Sequence, residues 1–275
     1  MTPLRYITKL ALSAVWLLPL QPSACTDSTL PANHISVAAP YYPTFSEPEG
    51  KGVFFDIIRE VFLPEGYQVI SCILPIRRSI RDLQLGKVDL YLTDWDKSYL
   101  TESPLYQPEK LHTPRTPIST ELVSATVLAN SPWHDQIEVK NLIPESLLRN
   151  EQHLIAWDKG FDYQRLIGLD KSSYQIVDSV KQGLNMLKAG RIKLYLNDDD
   201  NIRIVLQGRD EFKASDFRIV PLMEQQLYPV FQNNERGLKL AELYDRRMRV
   251  LLLQNRILEL YRHSGYDYQP ELPSE

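Results

Sequence analysis

Acidic side chains collect at two matching places in this sequence. Residues 80–96 read IRDLQLGKVDLYLTDWD and residues 184–200 read LNMLKAGRIKLYLNDDD. With Gly86 set on Gly190, Lys87 meets Arg191 and Leu90-Tyr91-Leu92 meets Leu194-Tyr195-Leu196. Asp94 then falls on Asp198, and Asp96 on Asp200. Carboxylates such as Asp94, Asp96 and Asp198, with Trp95 and the amide of Asn197 beside them, can accept charge-assisted hydrogen bonds from an ammonium or a hydroxyl. Asp199 and Asp200 read as solvated acids. Tyr41, Tyr42 and Phe45 form an aromatic loop able to stack on an apolar or cationic face, or simply to pack as a loop. Arg78 stands at the start of a helical pattern, where a cation opposes the helix dipole and wants a carboxylate from protein or ligand. Gly160-Phe161-Asp162 opens another helix whose free N–H groups suit an anion, the plainer reading being an Asp162 N-cap.

Signatures of covalent or metal chemistry are thin. The five histidines, His34, His112, His134, His153 and His263, are scattered without metal-ligand spacing. There is no G-x-S-x-G elbow and no phosphate-cradling glycine loop. Paired acids facing a cleft retain one catalytic use, acid/base work.

The elements that must position these residues follow from the repeat. Each copy is a short amphipathic helix ended by a glycine, then a continuous apolar run, then acids. A glycine takes the left-handed turn past a helix end without a Cβ clash. An apolar run this short suits a strand covered on both faces of a parallel sheet, and ligands bind at the carboxyl edge of such sheets. Two copies predict two lobes presenting carboxylates to a common cleft, although helix–Gly–strand is also the plain repeating unit of any doubly wound fold. Strands are expected at 34–39, 67–74, 122–129, 153–157 and 174–177, with apolar runs at 217–222 and 227–231 as a return crossing. A helix opens at Gly52 with Phe54, Ile57, Ile58, Val61 and Phe62 on one face, and Pro64 and Gly66 stop it. Residues 137–149 read as a surface helix. Residues 237–261 read as a closing helix or helix pair, with Ala241, Tyr244, Met248, Leu251 and Leu252 inward and Arg246, Arg247 and Arg249 solvated.

The chain has 275 residues, 43% hydrophobic and 24% charged, as soluble globular proteins do. Residues 1–24 read as a secretory leader, basic at Arg5 and Lys9, apolar over 10–20 and small at Ser23-Ala24. Without that leader the chain carries 29 basic against 35 acidic residues. Such a balance argues against nucleic acid as a partner. Cys25 and Cys72 are the only cysteines. Two readings stand, a lipid anchor on Cys25 or a Cys25–Cys72 disulfide in an oxidising compartment, and the first excludes the second.

Placed in order, these landmarks resemble the family-3 periplasmic solute-binding proteins. The resemblance is carried by the leader, the aromatic loop 41–45, Gly52-Val53-Phe54-Phe55-Asp56-Ile57 and Pro75-Ile76-Arg77-Arg78. It continues through Gly86-Lys87-Val88-Asp89, Ser103-Pro104-Leu105-Tyr106, Gly190-Arg191-Ile192 with Asp198, and residues 261–265. It implies an α/β, two-lobed type II periplasmic-binding-protein fold, each lobe a mixed, mostly parallel sheet flanked by helices, with two hinge crossings. One lobe would comprise residues 25–120 and 223–275, the other residues 121–222. The implied function is an exported, monomeric binder that closes on a small polar or charged solute, with no cofactor and no catalytic residues, serving an ABC permease or a membrane sensor from the periplasm. A periplasmic lyase of the cyclohexadienyl-dehydratase kind, or an adaptor with a vestigial cleft, is the alternative on this scaffold. The implied contacts are Tyr41, Tyr42, Phe45, Arg78, Asp94, Trp95, Asp96, Gly160, Phe161, Asn197 and Asp198. One departure stands out. Amino-acid binders of the family carry Thr-x-x-Arg after the first Gly-x-x-Asp strand to grip the ligand carboxylate, and residues 93–106 contain no arginine.

Overall fold

The computed structural model describes residues 31–92, 107–140, 154–159, 161, 163–167, 169, 174–208 and 211–272. Asp94, Trp95, Asp96, Gly160, Asp162 and Cys25 therefore lie outside the described residues. Ten strands form two five-stranded sheets among the described residues. The first contains β1 (His34–Ala39), β2 (Gln68–Ile73), β3 (Leu90–Leu92), β4 (Leu111–His112) and β10 (Pro229–Gln232), in the order β2-β1-β3-β10-β4. The second contains β5 (Ser119–Leu128), β6 (Ile155–Asp158), β7 (Tyr174–Val177), β8 (Leu194–Asp198) and β9 (Phe217–Leu227), in the order β7-β6-β8-β5-β9. In each sheet three strands run parallel and a fourth, antiparallel strand follows. The parallel strands are joined by the crossovers that carry the repeat, the expected β-α-β arrangement.

The repeat is alike down to its turns. Helix α2 (Ile76–Gln84) ends so that the N–H of Gly86 bonds to Leu83 and that of Lys87 to Asp82. Helix α5 (Val180–Lys188) ends the same way, Gly190 to Leu187 and Arg191 to Met186. The two glycines sit at φ 73° and 68°, where a side chain would be strained. The apolar runs that follow are buried as β3 and β8.

Each sheet has its own core. Helix α1 (Val53–Phe62) buries Phe54, Phe55, Ile57, Ile58, Val61 and Phe62 against Ile35, Val37 and Leu90. The closing helices, α7 (Glu235–Leu253) and α8 (Arg256–His263), complete that layer with Tyr244, Met248, Leu251, Leu252 and Tyr261. Arg246 lies exposed within 3.5 Å of Glu65, whereas Arg247, expected to be solvated, is mostly covered, its Nε buried 3.7 Å from the same carboxylate. The second sheet encloses Val123, Trp157 and Leu196 on one face and Leu184, Leu187, Tyr195 and Ile202 on the other.

Some boundaries differ from the sequence reading. The strand expected at 122–129 starts at Ser119, because its first residues pair with the end of β9. The runs at 217–222 and 227–231 are an 11-residue strand, Phe217–Leu227, followed by Pro229–Gln232 in the other sheet. Pro221, which has no N–H to donate, lies opposite Ser124 where the β5–β9 register slips. The helix expected at 137–149 begins earlier, as α3 (Trp133–Lys140), and its remainder lies outside the described residues. Among the described residues no helix is long and apolar enough to cross a membrane.

The aspartate of Gly86-Lys87-Val88-Asp89 is a tie. Its Oδ2 accepts from the Ser36 N–H (3.0 Å) and hydroxyl (3.1 Å), and its Oδ1 from Arg236 Nε (2.7 Å). Arg236 in turn donates to the Ala32 and His34 carbonyls, pinning the closing helix to β1. Asp89→Ala strands these donors, and a denaturant titration should read a loss of about 2–3 kcal/mol. A change within ~0.5 kcal/mol would show that the tie is ornamental to stability.

Candidate functional site

A cleft of about 300 Å³ lies between the two sheets. Its floor is the pair of strands that cross between the halves: Ser119, Thr120, Glu121 and Leu122 on β5, Glu224 and Leu227 on β9. One wall carries Tyr42, Phe45 and Phe54 from the first half, with Tyr261, Tyr266, Asp267 and Tyr268 from the C-terminal segment. The facing wall carries Phe161 and the start of α6 (Asp199–Gln207), namely Asp198, Asp199, Asp200 and Asn201.

The aromatic wall is set by a tight turn. Ser46 donates to the Pro40 carbonyl (2.6 Å), and Glu47 accepts from the Thr44 N–H (2.7 Å). The carbonyls of Thr44 and Phe45 then receive the first N–H groups of α1, from Val53 and Phe54, both at 3.0 Å. Phe45 is thereby wedged between Phe54 and Tyr266, with ring centroids 5.2 and 4.9 Å away. Phe161 lies stacked at 5.1 Å on Tyr163, the first residue of the short helix α4 (Tyr163–Leu166), its carbonyl accepting from Trp157 Nε1.

The acidic wall is set by a cap. Asp198 ends β8 and caps α6, its Oδ1 accepting from the N–H groups of Asp200 (2.8 Å) and Asn201 (3.1 Å). Burial raises its pKa to about 7, Asp200 adds to the rise, and the two backbone donors oppose it. Burial also raises Asp200, with Asp199 adding to it and Arg203 opposing. Asp199, expected to be solvated, is instead buried: it is ion-paired with Arg203 and accepts from the Ser124 hydroxyl (3.1 Å). Across the floor, Glu121 is buried and accepts from the Tyr163 hydroxyl (3.2 Å). Tyr266 is pushed up to about 12, by burial first and then by Asp200 and Asp198.

Of the residues singled out from sequence, Tyr42, Phe45, Phe161 and Asp198 line the cleft together. Three do not. Tyr41 points outward, 55% exposed, because the turn that inserts Phe45 faces its neighbours alternately. Arg78 is half exposed and pairs with Asp82 one turn along its own helix (3.3 Å), which supplies the carboxylate it was expected to seek. Asn197 is fully buried as a bracket: it donates to the Tyr195 hydroxyl (2.6 Å) and accepts from the Asp198 N–H (2.8 Å). Asp94, Trp95, Asp96 and Gly160 fall outside the described residues. Cys72 is disulfide-bonded.

No protein-family profile matches the chain, and no curated protein matches it in sequence. Solved structures do. EhuB in complex with hydroxyectoine is similar with a TM-score of 0.63 at 16% identity, over 85% of this chain and 89% of that one. A substrate-binding protein of an ABC uptake transporter from Streptococcus pneumoniae, with bound histidine, gives 0.62 at 12%, over 86% and 94%. A mutant of ArgBP from T. maritima gives 0.61 at 15%, over 85% and 95%. The fold is that of the two-lobed type II periplasmic binding proteins. In this periplasmic-binding-protein fold the cleft lies where the two lobes meet, and among the described residues six that line it are acids while none is lysine or arginine.

Sequence reasoning missed Glu121, Glu224 and the tyrosines after α8. Glu121 carried a signal, a lone acid in an alternating strand. Tyr266 and Tyr268 alternate as well, but nothing local shows that a C-terminal segment returns to the cleft.

Proposed function

We propose that this chain is an exported solute-binding protein that closes two lobes on a small polar or charged molecule and presents it to an ABC-type permease or a membrane sensor. The observation that carries the reading is the cleft itself, walled by both halves and floored by both crossing strands. A solute that touches both walls stabilises the closed arrangement by its differential contacts, and two strands crossing side by side give a hinge. We take residues 25–120 with 223–275 as one lobe and 121–222 as the other, with residues 1–24 directing export. Asp198 and Asp200 would accept hydrogen bonds from the solute, and Phe45, Tyr266 and Phe161 would sandwich its apolar part. A broad thermal-shift panel of amines, amino acids, sugars and organic acids tests this. A solute at a hundred times its dissociation constant should add about 2.7 kcal/mol of stability. A panel without a single responder would remove the reading.

A further inference from the structure

We infer that the cleft selects small organic cations carrying two or more positive charges and no acid group, that is, diamines, polyamines or guanidino-amines. The inference rests on the solute-binding reading and names its ligand class.

Three observations converge. Among the described residues Asp198, Asp200 and Glu224 form no ion pair, whereas Asp199 and Asp267 are matched by Arg203 and Arg262. The cleft thus holds acidic charge that the protein leaves for something else to balance. The same cavity has an aromatic wall, Phe45 against Tyr266 at 4.9 Å with Phe161 across from it, which accepts methylene chains and the faces of cations.

The acids also sit at two stations. Val123 pairs with Asp198 across β5 and β8, while Leu122 pairs with Glu224. β5 therefore lies between the two acids, and the backbones that carry them stand two strand spacings apart, roughly 10 Å. That separation suits two cationic ends on a four- or five-carbon chain. Among the described residues a ligand carboxylate, by contrast, finds no lysine or arginine on the lining, and Arg78 is paired with Asp82 outside the cleft. It would face the acids instead.

The test uses molecules that differ only in that carboxylate. Calorimetric titration of the leaderless full chain at pH 8 should show agmatine binding at least tenfold tighter than arginine, and cadaverine at least tenfold tighter than lysine. Equal affinity, or a preference for the amino acids, overturns the inference. So does tight binding of a sugar or an organic acid in place of any amine, which would leave the solute-binding reading standing. Absence of binding by every compound overturns both. Glu224→Gln, an exposed change that the fold does not need, should weaken the favoured amine about tenfold with the circular dichroism unchanged, and an unaltered affinity counts against the two-station arrangement.

Discussion

Asp198→Asn is expected to weaken solute binding about a hundredfold while the unliganded protein becomes more stable above pH 7. Asparagine caps helices as well as aspartate does, so the bonds from Asp200 and Asn201 survive the change. What disappears is a carboxylate that burial and Asp200 hold at a pKa of about 7. An aspartate raised in this way makes folding less favourable as pH climbs from its ordinary range near 4 towards 7, and the penalty is complete above that. Asparagine carries no such penalty. The variant should match the wild type near pH 4 and exceed it by about 1–3 kcal/mol at pH 8. A cationic solute reverses the argument, since it favours the ionised form and draws the proton away. Wild-type affinity for a cation should therefore rise between pH 5.5 and 8. Asp200 and then Asp199 on the same helix add to the rise at this group, and Asp200 is itself raised, by burial first. Binding titrations and thermal melts at the two pH values check both halves. A flat affinity profile, or a variant that binds normally, would show that Asp198 is a cap and nothing more.

Gly52→Ala should cost on the order of 2–4 kcal/mol and abolish binding with it. Gly52 sits at φ 103°, and a Cβ there would lie 2.5 Å from the Phe45 carbonyl oxygen and 2.6 Å from its carbon. The obstruction is backbone, which cannot rotate aside. Relief requires moving the turn that feeds Phe45 to the cleft wall and breaking its bonds to the first turn of α1. Gly66 provides the control. It also has positive φ, 85°, but an added Cβ meets nothing within 4 Å. Gly66→Ala should lose only about 1 kcal/mol and bind normally. Chemical unfolding of the pair, beside a titration with the best solute, separates the two outcomes. If Gly52→Ala behaves like Gly66→Ala, the close approach at Phe45 is not limiting.

Much of the fold was legible because its signals are local. The glycine at each helix end, the apolar run after it and the alternating strand at residues 34–39 need no knowledge of distant residues. The antiparallel fourth strand of each sheet was harder, since Pro229–Gln232 is apolar whichever neighbour it joins. The candidate site divides along the same line. Asp198, Phe45 and Phe161 announce themselves at element ends, where ligands gather. Arg78 misled because a helix-terminal cation has two ways to find a carboxylate, and Asp82 four residues on is nearer than any ligand. Asn197 misled because a polar residue at a strand end can equally brace the turn from below. Glu224 and Tyr266 become visible only when segments far apart in the chain are brought to one gap.

The separation of the two cores has a consequence for how such a protein changes its taste. The acids that furnish the gap belong to neither hydrophobic cluster, whereas Phe54, Leu227 and Tyr261 do. Charge at the acids on whose carboxylates no hydrogen bond of the fold is described, Asp200 and Glu224, can therefore drift without eroding what keeps either half folded. Descendants of this chain could exchange one solute for another by swapping a few carboxylates, with the framework passed on unaltered.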